Sequence, residues 1–245
     1  MESSPLRRLS LQELEACIVL NAPPIRHDDM MNIFSSFKLR ICADGGANFI
    51  YDTCPSVRLE PTTSPFLPDL VIGDLDSIRP EVAEFFGHHG VAITQIRDQD
   101  STDLDKALGH VASSDSEEGR FIAILGSIGA HEGRVDQLFA VINSMYRYRK
   151  EPFQLVQIGS ASIMVVLDTG KHRIQIPPSA IGQHCGLIPA FGKVEKITSS
   201  GLQWDLIDSH GGMSFGSIIS TNNIIREEIV DVNTSSPVLF TITYR

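Results

Sequence analysis

The 245-residue chain has no apolar run approaching the ~18–20 residues that a membrane span requires. Its opening segment, MESSPLRR, leads into no apolar core, so a secretory signal is not expected. The cysteines Cys17, Cys42, Cys54 and Cys185 form no CxxC pair. Their scatter excludes a zinc site or disulfide framework by spacing and fits a reducing, cytoplasmic compartment. Basic charge is scarce: 20 Lys and Arg against 30 Asp and Glu leave a formal charge of −10. A generic nucleic-acid or anionic-membrane binder needs a basic face and is excluded. A polyanionic small substrate stays open, provided that a metal cation mediates the contact. The common nucleotide motifs are missing too: no GxxxxGK[ST], no GxGxxG after the first strand and no kinase signature. The eight histidines contain no HExxH. Asp168-Thr169-Gly170 has no second DTG or DSG, so it reads as a turn and not as half of an aspartic protease. The sequon Asn233-Thr234-Ser235 reads as chance in this context.

What is present describes a folded protein: 42% hydrophobic and 20% charged residues, with a mean hydropathy of +0.02. The length suits one large domain or two small ones. Up to about residue 159, short apolar runs alternate with helical patterns. Strands are expected at 16–21, 39–43, 70–72, 91–96, 121–125 and 153–158. Helices are expected from Pro80, from Asp103 behind a Thr102 cap, and from Val135. In the last, Val135, Leu138, Phe139, Ile142, Met145 and Tyr146 mark one face. His88-His89 should cap the end of the helix that Pro80 opens. Continuous apolar strands between helices indicate a mostly parallel sheet covered on both faces. Beyond 159 the helical period disappears. Leu202, Trp204 and Leu206 alternate with polar residues, as do Val238, Phe240, Ile242 and Tyr244, and glycines punctuate the segment. The fold class expected is α/β, with an N-terminal α/β domain over 1–159 and a C-terminal antiparallel β-sandwich over 160–245.

The chemistry concentrates in four acidic segments, each where a strand gives way to a loop or helix: ADGGAN (43–48), GDLDS (73–77), DQDSTD (98–103) and GRVDQ (133–137). In open α/β sheets, ligands bind at the carboxyl ends of the strands, so carboxylates from separate loops should meet in one crevice. Asp74 and Asp76 share a side if the chain between them is extended. Asp100 and Asp103 can share a face at a helix start. Gathered carboxylates repel one another, and a divalent cation removes that penalty. A few hard oxygen ligands, completed by water and substrate phosphates, describe Mg²⁺. The chemistry implied is Mg²⁺-assisted phosphoryl-type transfer. Gly126-Ser127-Ile128-Gly129 with Arg134 is a candidate phosphate loop. The lone Trp204 is a core residue by default; its alternative is an aromatic wall for a flat or cationic ligand. Ser220-Thr221-Asn222-Asn223 reads by default as a turn.

These four segments, together with GKHR (170–173), CGLIP (185–189), TSSGLQWDL (198–206) and FGSIISTNN (215–223), resemble the eukaryotic thiamin pyrophosphokinase family over nearly the whole chain. The resemblance implies pyrophosphoryl transfer from ATP to the thiamin hydroxyl, giving thiamin diphosphate and AMP. It implies a homodimer with active sites between the N-terminal domain of one subunit and the C-terminal domain of the other. It gives Asp74, Asp76 and Asp103 the catalytic role, with Asp44 beside them as metal ligands. Arg134, Asp136 and Gln137 fall on the ATP side. Gln99, Asp100, Trp204, Ser220 and Asn222 fall on the thiamin side. Ala130-His131-Glu132 departs from the family pattern, in which the glycine loop runs nearly straight into Gly133-Arg134. Two other classes stay open: a DxD nucleotide-sugar transferase, and a non-catalytic thiamin or nucleotide sensor.

Overall fold

The computed structural model describes residues 7–10, 14–22, 34–61, 64–113, 120–126, 134–208 and 211–243. In chain order the elements are β1 (Arg7–Ser10), β2 (Leu14–Val19), β3 (Leu39–Ala43), α1 (Gly46–Thr53), α2 (Pro55–Leu59), β4 (Leu70–Gly73), α3 (Pro80–His88), β5 (Ala92–Gln95), α4 (Asp103–Ser113), β6 (Arg120–Leu125), α5 (Val135–Arg147), β7 (Phe153–Ile158), β8 (Ser162–Leu167), β9 (Gly170–Gln175), β10 (His184–Ile188), β11 (Ile197–Ser200), β12 (Ser220–Ile224), β13 (Ile229–Thr234) and β14 (Val238–Thr243). They pack as two units: Leu14–Ser160, and Ala161–Arg245 with the N-terminal strand.

In the first unit the strands run parallel in the order β7-β6-β2-β3-β4-β5. Cys17, Ile18, Ile41, Val71, Ile122, Ile124 and Val156 are fully buried along them. That is why these strands read as unbroken apolar runs. Each such Ile or Val contributes about 1.5–3 kcal/mol by leaving water. From β2 the chain steps outward through β3, β4 and β5, then returns to β6 on the other side of β2. The carboxyl ends of β2 and β6 therefore flank the point where strand order reverses, the place where such sheets hold ligands.

Local chemistry explains the helices. Pro80 opens α3 behind an extended Arg79, and Val82 and Phe86 are buried along it. A His89 ring nitrogen lies 2.7 Å from the Phe85 carbonyl and closes its end. Helix α4 begins at a reciprocal cap: the Asp105 amide donates to Thr102 Oγ1 at 3.1 Å, and the Thr102 amide donates back to Asp105 Oδ2 at 3.3 Å. Helix α1 was not expected from the sequence, because two glycines stand at its start. They serve close packing: a Cβ on Gly46 would lie 2.2 Å from the Val19 carbonyl oxygen. Helix α5 has the expected period, but its buried residues are Val141, Ser144 and Met145, while Val135 and Phe139 are exposed. The stripe holds at Met145, which is buried, and fails at Val135 and Phe139 in the first turns, which are exposed.

The second unit is antiparallel apart from β1. Strand β10 pairs with β12 and β14, and β14 with β8. Strand β13 pairs with β9 and β11, and β1 lies parallel to β9. Strand pairing thus puts Arg7–Ser10 with the C-terminal residues, not with the N-terminal domain to which 1–159 was assigned. Val165, Leu187, Val230, Val232 and Phe240 form the core here. Asp168 and Thr169 make the turn between β8 and β9, as the sequence suggested. The segment 202–206 is not a strand. Leu202 and Leu206 are buried but Trp204 is 57% exposed, so the default assignment of Trp204 to the core is wrong. An Asp205 carboxylate oxygen accepts from Ser199 Oγ at 3.0 Å and from the Leu202 amide at 3.1 Å, which turns the chain and lifts the indole outward.

Candidate active site

Strand β3 delivers Asp44 at its end, in a left-handed conformation (φ 40°). The side chain is buried, and both carboxylate oxygens accept backbone amides: Ser77 N–H at 2.9 Å and Ile78 N–H at 3.0 Å. Asp44 therefore holds the loop that follows β4. That loop starts at Gly73, where a Cβ would lie 2.7 Å from Asp44 Cβ and 3.0 Å from Asp103 Oδ1. Only a hydrogen fits between the two aspartates. Asp74 follows, with its amide 3.3 Å from Asp103 Oδ1. One carboxylate oxygen from each of Asp44, Asp74 and Asp103 lies within 4.8 Å of the others.

Asp76 stands outside this group. Leu75 between the two loop aspartates is left-handed (φ 64°), so the chain is not extended there and the shared-side argument fails. Asp76 is exposed and accepts from Ser77 Oγ at 2.8 Å. Gln99 Nε2 reaches Asp74 Oδ2 at 3.4 Å. Asp100 is exposed, and its amide donates to Asp98 Oδ1 at 2.9 Å.

Beside the aspartates opens a cavity of about 470 Å³, a size that suits a nucleotide. Asn21 at the end of β2, Asp74, Asp103, Lys106, Arg134 and Gln137 contribute its polar lining. Arg134 is exposed and paired with Asp136, its Nε 3.1 Å from Asp136 Oδ1. That pair holds the guanidinium above its usual range and the carboxyl below its own. The candidate phosphate loop 126–129 lies outside the described residues beyond Gly126, as does the Ala130-His131-Glu132 insertion.

In the second unit, Trp204, Ser220, Ile218, Ile219 and Asn223 line a groove of about 280 Å³. Asn222 is left-handed (φ 55°), exposed and not part of this lining.

Two family models match the chain: "Thiamin pyrophosphokinase, catalytic domain" over residues 30–157 and "Thiamin pyrophosphokinase, vitamin B1 binding domain" over residues 171–239. The chain belongs to the thiamin pyrophosphokinase family. It is 39% identical to thiamine pyrophosphokinase 2 of Arabidopsis thaliana over 238 residues, covering 94% of this chain and 86% of that protein. It is 36% identical to thiamine pyrophosphokinase 1 of Oryza sativa subsp. japonica, over 94% of this chain and 87% of the relative. Its fold is shared with the thiamin pyrophosphokinase of Candida albicans at a TM-score of 0.83 and 21% identity, covering 100% of this chain and 95% of the other.

For a thiamin pyrophosphokinase, the residue that sequence reading missed is Lys106. A lysine one turn into a helix reads as solvated, yet its side chain is only 3% exposed. Its Nζ lies 2.9 Å from Asp103 Oδ1 and 3.6 Å from Asp74 Oδ2. Burial pulls the ammonium down, but the hydrogen bond and charge of Asp103, with Asp74, hold it above the ordinary lysine range. Burial pushes the Asp44 carboxyl up against its two amide bonds, and the charges of Asp103 and Asp76 add to the rise. The i, i+3 spacing of Asp103 and Lys106 was the available signal. Asn223 was missed as well; it was read as one more turn residue in the STNN run, but it is buried and bonded to the Trp204 backbone.

The group fits a divalent cation on its donor chemistry. Three hard carboxylate oxygens converge, those of Asp74 and Asp103 belonging to residues that line the cavity, and like-charge repulsion among them is only partly offset by one ammonium. No helix among the described residues is long and apolar enough to cross a membrane.

Proposed function

We propose that the chain transfers a pyrophosphoryl group from ATP to the hydroxyl of thiamin at the Asp44, Asp74 and Asp103 group, yielding thiamin diphosphate and AMP. The convergence of these three carboxylates, two of which (Asp74 and Asp103) line a nucleotide-sized cavity, is the observation that carries the reading. Asp74 and Asp103 would hold Mg²⁺, with Asp44 fixing the loop between them and offering the third oxygen. A bound divalent cation supplies neutralisation of phosphate charge and alignment for in-line attack. Arg134, Asp136 and Gln137, at the start of α5, take the ATP side, with Arg134 offering its guanidinium to phosphate once Asp136 yields it.

Asp76 is the carboxylate left to accept the hydroxyl proton, since a carboxylate that ligates a cation is a poor base. Gln99 and Asp100 place the thiamin hydroxyethyl end. Trp204 and Ser220 form the thiamin wall, where an exposed indole suits a cationic ring, and Asn222, outside the groove lining on the same strand as Ser220, acts from its edge. The protein works as a homodimer in the cytoplasm, each site completed by the C-terminal unit of the partner. The nucleotide-sugar transferase and sensor alternatives find no support among the relatives.

The test is phosphorus NMR of ATP, Mg²⁺ and protein with and without thiamin. AMP must form only when thiamin is present. Asp103→Asn should lower the rate by about 100-fold or more, as loss of a charge-stabilising group does. A rate unchanged in Asp103→Asn removes the assignment.

A further inference from the structure

We propose that Lys106 is a resident counter-ion that discriminates against a bare divalent cation and in favour of one delivered on a nucleotide. The inference rests on the reading of the aspartate group as the metal site.

Three carboxylates and one ammonium, which contacts Asp74 and Asp103, leave a formal charge of −2. Lys106 cannot leave. Its side chain is buried, and the helix that carries it is pinned at its start by the Thr102–Asp105 cap and by Arg147, whose guanidinium lies 3.2 Å from Asp105 Oδ2. Charge held out of water acts with much less screening than charge at the surface. A bare divalent cation at this group gains three carboxylates and meets a fixed positive charge beside two of them. A cation carried by ATP brings the triphosphate's negative charge into the cavity that Lys106 also lines. The same ammonium therefore repels the first visitor and attracts the second. A purely structural lysine would move both affinities in the same direction.

The measurement is Mn²⁺ binding by electron paramagnetic resonance, on the full chain, for the free ion and for Mn²⁺ with ATP and no thiamin. Lys106→Met should bind free Mn²⁺ about tenfold tighter than the unmodified protein and Mn²⁺–ATP about tenfold weaker, given unscreened charge at this range. Lys106→Arg should keep both affinities on the unmodified side. Thermal melts accompany each variant, with Lys106→Gln as the second neutral replacement. A parallel loss of both affinities, or unchanged free Mn²⁺ binding, overturns the proposal while leaving the metal site standing. Unfolding of both neutral variants while Lys106→Arg folds also overturns it. If Asp103→Asn binds Mn²⁺–ATP as well as the unmodified protein does, the metal-site reading itself fails.

Discussion

Trp204 and Asn223 hold each other by two reciprocal hydrogen bonds. The Trp204 amide donates to Asn223 Oδ1 at 3.1 Å, and Asn223 Nδ2 donates to the Trp204 carbonyl at 2.8 Å. A buried side-chain amide thus does for a loop what a strand partner would do, and the indole stays exposed without being loose. Asn223→Ala should cost about 1–3 kcal/mol, because two backbone groups lose their partners. It should raise the KM for thiamin more than it lowers kcat. Trp204→Phe should weaken thiamin binding with stability nearly unchanged. Urea denaturation and initial-rate kinetics separate the two variants. Equal effects of Trp204→Phe on the KM for ATP and for thiamin would argue that the ring only packs.

Gly73 and Gly87 make a paired experiment. At Gly73 a methyl would lie 2.7 Å from Asp44 Cβ, at Gly87 no closer than 3.7 Å to Ile93 Cδ1. Gly73→Ala should force the Asp44 and Asp103 side chains apart and reduce turnover by at least about tenfold, as small misplacements at a reacting centre do. Gly87→Ala, in the last turn of α3 and exposed, should raise stability by about 0.5–1 kcal/mol with activity unchanged. Comparable activity in both variants would show that the aspartates tolerate displacement.

The parallel sheet was legible because its strands, the edge strand β5 apart, are largely buried: β3 and β7 run over the residues that their apolar runs marked. The aspartates were legible because each follows a strand, a local pattern. What was not legible is nonlocal. The bonds from Ser77 and Ile78 to Asp44 span more than 30 residues of sequence, and the left-handed turn at Leu75 that moves Asp76 away from Asp74 has no glycine to announce it. Lys106 reads as surface until α4 is docked. In α5 the period was visible, but Val135 and Phe139 in its first turns are exposed, and periodicity carries no information about which turns are covered. Trp204 was placed on a strand by alternation, whereas Asp205 bends the chain there.

Asp105 ties the aspartate helix to the nucleotide-side helix. Its side chain is buried, one oxygen serves the Thr102 cap and Arg147, and the other has no partner among the described residues. Arg147→Met should leave the buried carboxylate without its charged partner and cost about 1–3 kcal/mol in urea denaturation. The double variant Arg147→Met, Asp105→Asn should recover part of that loss, because the uncompensated charge goes with it. Two losses that simply add would show the pair to be uncoupled.

The four thiols give a pH prediction. All are free and buried. Burial is the first cause in each case: it pushes Cys54 up to about 11 and Cys185 up to about 12, and it raises Cys17 and Cys42 well above the usual thiol value. In the unfolded chain the same thiols ionise near about 8.5. Above that pH the unfolded state holds fewer protons than the native state, so stability falls as pH rises from about 8.5 toward about 11, by up to about 1.4 kcal/mol per thiol per pH unit. Below about pH 8 the thiols contribute no slope. The urea midpoint should drop between pH 7.5 and 9.5 in the native sequence, and drop less in a variant carrying alanine at all four positions. At pH 8 an aromatic disulfide reagent should leave the folded protein unlabelled and modify four thiols once it is unfolded in guanidinium. Prompt labelling of any thiol in the folded protein would mean that the strands carrying Cys17, Cys42 and Cys185, or the junction between α1 and α2 that carries Cys54, open far more readily than their burial implies.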